Sequence, residues 1–174
     1  QLIVALGLLV ANALAVTAQS NQETPFLYQV GQRDSLYSEV LKEGREVWIQ
    51  LPETYNPNSD TKYPVVYVLD GRVQLKALIT VSSYYQGHFL PEMILVGISN
   101  NKNRTRDLTT SKVKKIHGYA MKEATGGAEE FTQFIEKELI PHIDSKYPTT
   151  PYRTLIGHSY GGLFTINTLL HHPT

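Results

Sequence analysis

The chain has 174 residues, 41% hydrophobic and 18% charged, which is ordinary globular composition and enough for one domain with a sizeable core. Lys and Arg number 16 and Asp and Glu number 16, so the formal net charge is zero and neither nucleic acid nor an anionic membrane surface is favoured as a partner. The absence of cysteine excludes disulfides, a thiolate nucleophile, Cys-ligated zinc and a lipid attached through a Cys.

Residues 2–18 form an apolar, uncharged run ending in Val16-Thr17-Ala18, a small-x-small pattern with Gln19 as the expected mature start. Asn12 interrupts the run, and a membrane span needs about 20 apolar residues. Residues 1–18 therefore read as a signal peptide entered part-way, because no basic segment or initiator Met precedes them. Secretion or a periplasmic location is implied, with no membrane attachment after cleavage. A polar leader follows over 19–28, and 29–174 read as one domain.

Two strand-like runs, 35–41 and 45–51, flank Lys42-Glu43-Gly44 and predict an antiparallel hairpin; Val47, Ile49 and Leu51 alternate with Glu46, Trp48 and Gln50. The apolar run 65–69 suits a strand buried on both faces and ends at Asp70-Gly71. A helix over 73–85 and a second buried strand over 93–98 complete a βαβ unit, which calls for a parallel sheet. Residues 100–127 form a long polar connection that carries Arg104 and Arg106 and the basic run Lys112, Lys114 and Lys115. Phe131, Phe134, Ile135, Leu139 and Ile143 then recur at helical spacing, with Pro141 expected to kink or divide the helix. A third buried strand over 154–157 leads into a helix marked by Phe164, Ile166, Leu169 and Leu170.

Gly157-His158-Ser159-Tyr160-Gly161-Gly162 joins that strand directly to that helix. A G-x-S-x-G string is weak evidence alone, but between a buried strand and a helix it reads as a nucleophile elbow. Ser159 is then the candidate nucleophile. The helix dipole and the backbone N–H of Tyr160 would favour a developing oxyanion. A second N–H is expected from residues 69–72, where Gly71 permits an unusual turn; Gly71 or Arg72 would supply it. A plain strand-end turn is the alternative there. Arg104 and Arg106, at the C-terminal end of the sheet, could bind an anionic substrate, or form an ion pair with Asp107. No metal-ligand spacing or phosphate-binding glycine loop is present, so no cofactor or metal is expected.

Several segments carry a specific resemblance: 63–71 (Tyr-Pro-Val-Val-Tyr-Val-Leu-Asp-Gly), 95–98, Arg104-Thr105-Arg106-Asp107-Leu108-Thr109, 134–141, and the elbow with its second glycine, Gly162. From about Val47 onward the chain resembles the putative esterase family, which includes siderophore esterases, S-formylglutathione hydrolase and mycolyltransferases. The resemblance implies an α/β-hydrolase fold, with a mostly parallel sheet that carries an N-terminal antiparallel hairpin and is incomplete at the C-terminus. It also implies Arg72 as the second oxyanion donor, and the 104–109 segment leans toward the siderophore esterases.

In this fold the triad order is Ser, acid, His. His171 and His172 follow Ser159 along one helix and cannot return to it at 1.5 Å per residue. His88, His117 and His142 precede it, and His158 adjoins it with its side chain expected to point elsewhere. The acid and the base are therefore expected beyond Thr174, and these 174 residues alone are expected to be inactive. The leading reading is a serine esterase acting on a small-molecule ester through an acyl-serine intermediate. Acyl transfer on the same scaffold, and a non-catalytic binding protein that kept the fold, are the alternatives.

Overall fold

The computed structural model describes residues 31–100, 102–116 and 118–172; the expected signal peptide (1–18) and leader (19–28) lie outside them. The main sheet has five strands in the order β1-β2-β4-β3-β7. These are β1 (Gln32–Ser38), β2 (Glu43–Gln50), β3 (Tyr63–Val68), β4 (Ile94–Ile98) and β7 (Thr149–Ile156). The strands β4, β3 and β7 run parallel, while β2 joins β4 and β1 joins β2 antiparallel. The expected α/β architecture, a parallel βαβ core with an antiparallel hairpin added, is the one observed. A small hairpin, β5 (Lys115–Ile116) and β6 (Tyr119–Ala120), stands apart from it.

Alternation along the strands divides the core in two. Val65, Tyr67, Ile94, Val96 and Ile98 face one side with Val47 and Ile49. On that side they meet the helix α3 (Ala128–Phe134) with its continuation, and Phe164 of α5 (Tyr160–His171). Val66, Val68 and Leu95 face the other side and pack on Leu75 and Ile79 of α1 (Gly71–Tyr85). Strands with apolar residues at every position are what a sheet covered on both faces requires.

Three boundaries differ from expectation, each for a reason outside the local sequence. The first hairpin turns at residues 39–42, not 42–44, with Lys42 in the left-handed region at φ 55°. Glu138, distant in sequence, holds that turn: its carboxylate accepts from Ser38 Oγ at 2.5 Å and from the N–H groups of Glu39 and Val40 at 2.9 and 3.0 Å. The last strand begins at Thr149, five residues early, through polar residues and Pro151. It borders only β3 among the described residues, and its register slips between Tyr63 and Val65, as a proline in an outer strand allows. Finally, Pro141 does not divide the helix. A π-helical stretch (Ile135–Leu139) links α3 to α4 (Ile140–Lys146) without a break. Pro141 follows directly on the π-helical stretch, so its missing N–H falls where the hydrogen-bond pattern already changes from π to α.

Candidate active site

The strand β7 ends at Ile156 and α5 begins at Tyr160, so three residues make the turn. Ser159 sits there at φ 58°, ψ −118°, a conformation that costs a non-glycine residue about 1–3 kcal/mol and persists only when its surroundings enforce it. The enforcement is visible. A Cβ on Gly157 would lie 2.3 Å from the carbonyl oxygen of Gly161, so only glycine fits. Gly161 itself has room, since an added Cβ would make ordinary 3.5 Å contacts with Leu69. The turn closes through the Gly161 N–H to the His158 carbonyl at 2.9 Å and the Leu163 N–H to the Ser159 carbonyl at 3.0 Å. Ser159 is exposed, and Tyr160 occupies the first position of α5.

Beside the elbow, Leu69 continues β3 by donating its N–H to the Ile156 carbonyl at 2.9 Å. The chain then turns into α1 at Asp70, which is itself left-handed at φ 52°, ψ 39°. The unusual backbone expected at Gly71 thus belongs to Asp70. Gly71 is required for a different reason: a Cβ there would lie 2.6 Å from Gly97 Cα, because α1 starts in direct contact with β4. Arg72 is in the first turn of α1, and Tyr160 in the first turn of α5, where N–H groups have no intrahelical acceptor. The two helix starts stand at the C-terminal ends of neighbouring parallel strands.

Arg104 and Arg106 lie on a short helix, α2 (Arg104–Leu108), rather than in an open loop. Both guanidiniums are engaged. Arg106 bonds both oxygens of Glu43, at 3.1 and 2.7 Å, and also Asp107 Oδ1. Its pKa is raised, first by the Glu43 carboxylate. Arg106 thus forms the ion pair with Asp107 that was the alternative expected for it, and a second one with Glu43. Arg104 forks onto Asp70, Nε to Oδ1 at 2.8 Å and an Nη to Oδ2 at 2.9 Å. Its guanidinium carbon lies 5.5 Å from the centre of the Tyr160 ring.

Behind this layer lies a buried polar network that sequence reasoning missed. Asn100 accepts from the Asp70 N–H at 3.2 Å and donates to Asp107 Oδ2 at 3.3 Å. Arg45 donates to the same oxygen at 2.8 Å, with side-chain exposures of 4% for Arg45 and 0% for Asp107. The Arg45 guanidinium also faces Phe131 and Phe134, 5.1 and 5.5 Å from their ring centres. A polar Asn two residues past the end of a buried strand was the one available signal. A groove of about 890 Å³, lined by Arg33, Tyr37, Glu43, Arg72, Ser99 and Lys102 among others, opens beside the start of α1.

None of the described histidines reaches Ser159. His142 pairs with Asp34 at 2.8 Å, His171 with the Asn167 carbonyl at 2.9 Å and His172 with Glu129 at 3.3 Å. His158 and His88 are exposed, and His117 lies outside the described residues. Lys112, Lys114 and Lys115 are exposed. Among the described residues no His, Asp or Glu cluster could hold a metal ion, and no helix is long and apolar enough to cross a membrane.

The family model described as "Putative esterase" matches residues 38–174. Apo-salmochelin esterase of Escherichia coli is 30% identical over 134 residues, covering 71% of this chain and 42% of that protein. Ferri-bacillibactin esterase of Bacillus subtilis is 33% identical over 145 residues, covering 73% and 48%. Among solved structures, an IroE-like serine hydrolase from Shewanella oneidensis superposes with a TM-score of 0.74 at 41% identity, covering 79% of this chain and 45% of that one. The chain thus spans less than half the length of these relatives.

Proposed function

The chain belongs to the putative esterase family, and from that premise we propose that it carries the nucleophile and oxyanion hole of a serine esterase acting on a siderophore-type ester. The observation that carries the reading is Ser159, exposed and left-handed at the junction of β7 and α5. Its hydroxyl oxygen attacks the ester carbonyl and gives up its proton to a base. The C–O bond that forms creates a tetrahedral oxyanion, held by the N–H groups of Tyr160 and Arg72. Collapse expels the alcohol, which takes the proton back from the base, and water then hydrolyses the acyl-serine. With every described histidine engaged elsewhere or turned to solvent, the acid and base come from outside the described residues. The relatives named for siderophore esters, together with a polar groove that includes Arg72 and Lys102, support a substrate bearing polar or anionic groups. Secretion or periplasmic location goes with this reading.

The test is labelling with a fluorophosphonate probe, alongside hydrolysis of an activated aryl ester. The whole protein should label and turn over. Its Ser159→Ala form should fold, lose labelling and lose turnover by orders of magnitude. Residues 1–174 expressed alone should show no turnover that depends on Ser159. Equal labelling of wild type and variant would mean that another residue is the nucleophile.

A further inference from the structure

Arg104 stands between the two backbone segments from which the oxyanion donors come. On one side its fork grips both oxygens of Asp70, the left-handed residue from which α1 springs, at 2.8 and 2.9 Å. On the other side the same guanidinium lies over the Tyr160 ring and points an Nη at the His158 carbonyl, at 3.5 Å. Nothing else in the hydrogen-bond pattern of the described residues joins these two segments through side chains. Asp70 is fixed in turn from behind, its N–H on the buried Asn100, which is held by Asp107.

We infer that Arg104 is a positioning residue: it sets the Arg72 N–H against the Tyr160 N–H by tying Asp70 to the elbow, and so governs oxyanion stabilisation without touching substrate. The inference rests on the serine-esterase reading. The physical grounds are threefold. Asp70 and Ser159 both hold unfavourable backbone conformations, so each helix start needs an external restraint. A two-point guanidinium–carboxylate pair fixes orientation as well as distance, which a lysine cannot do. Asp70 is largely shielded, with 13% side-chain exposure against 34% for Arg104, so the pair is less screened than a surface bridge. Donors meant for an oxyanion lose much of their effect when displaced by an ångström, so a loosened brace is expected to appear in the chemical step.

The experiment uses the whole protein, with Arg104→Gln, Arg104→Lys, Asp70→Asn and the double variant Arg104→Gln/Asp70→Asn. Asparagine tolerates the left-handed backbone of Asp70, so that variant removes the ion pair without adding strain. For a neutral aryl ester, kcat and the fluorophosphonate labelling rate should fall together by roughly 10- to 100-fold with KM little changed. Arg104→Lys should recover only part of the loss. The double variant should be no worse than either single one, as expected for partners in one unit. A rise in KM confined to anionic esters, with kcat preserved, would show that Arg104 contacts substrate and would overturn the inference. So would a lowered melting temperature with an unchanged labelling rate. Failure of the wild-type protein to label at Ser159 would instead remove the serine-esterase reading itself.

Discussion

Gly157 and the carbonyl of Gly161 approach so closely that a methyl group on Gly157 would sit 2.3 Å from that oxygen. The strand cannot turn into α5 in this way with any larger residue at 157. At Gly161 the same addition meets only ordinary contacts. The two glycines of one motif therefore carry unequal constraints. Gly157→Ala should destabilise the protein by about 1–3 kcal/mol, the usual cost of overpacking, and slow labelling of Ser159. Gly161→Ala should cost clearly less. Urea unfolding of both variants, with labelling rates alongside, checks the ranking, and equal losses would contradict it.

The buried pair of Arg45 and Asp107 gives a second prediction. Removing Asp107 leaves the buried Arg45 guanidinium with Glu43 as its remaining carboxylate, at 2.8 Å, and breaking a buried pair in this way costs about 3 kcal/mol. Asp107→Ala should therefore unfold at much lower denaturant than wild type. The double replacement Arg45→Met/Asp107→Leu should recover a large part of the loss, because no buried charge remains. A double variant less stable than Asp107→Ala would show that the pair contributes more than mutual neutralisation.

Acid sensitivity follows from two depressed carboxyl groups. Arg106 first, against opposing burial, and then Arg45 hold the Glu43 carboxyl down from 4.5 to about 2. At Asp34 burial pushes upward, but Lys146, His142 and the Ser35 N–H together bring it down from 3.8 to about 2. A depressed carboxyl stabilises the fold above its unfolded pKa, and that contribution is lost as pH falls through the folded value. The urea midpoint should accordingly drop as pH goes from about 4.5 toward about 2, and Glu43→Gln should flatten part of the decline. A wild-type midpoint independent of pH in this range would contradict the assignment.

Export is the fourth prediction. Val16-Thr17-Ala18 closes an apolar run, so the whole protein expressed with its native leader should be cut before Gln19. N-terminal sequencing of the mature product decides, and a retained apolar N-terminus would refute cleavage.

Much of the scaffold was legible in the sequence because periodicity and local chemistry decide it. The runs at 65–69 and 93–98 have no polar interruption, and the elbow lies between a strand and a helix whatever its surroundings. What escaped was long-range. Glu138 moves the first hairpin turn from a hundred residues away along the chain. The polar start of β7 is a strand only because β3 lies beside it. Arg104 and Arg106 read as two similar loop cations, yet Asp70 claims one, and Glu43 and Asp107 claim the other. No spacing rule connects residues 34 and 63 positions apart.

The wide turn between α3 and α4 has a consequence for helical phase. Phe131, Ile135, Leu139 and Ile143 are each four residues apart, and all are buried. In a regular α-helix every step of four residues advances by about 40° beyond a full turn, so three steps would carry Ile143 about 120° away from Phe131. A π-helical stretch takes more residues per turn and reverses that drift over Ile135–Leu139. The helix can therefore keep one apolar line facing the core along its whole length. Deleting a single residue such as Lys137 would restore a regular turn, and would swing either the phenylalanines or Ile143 out of the core.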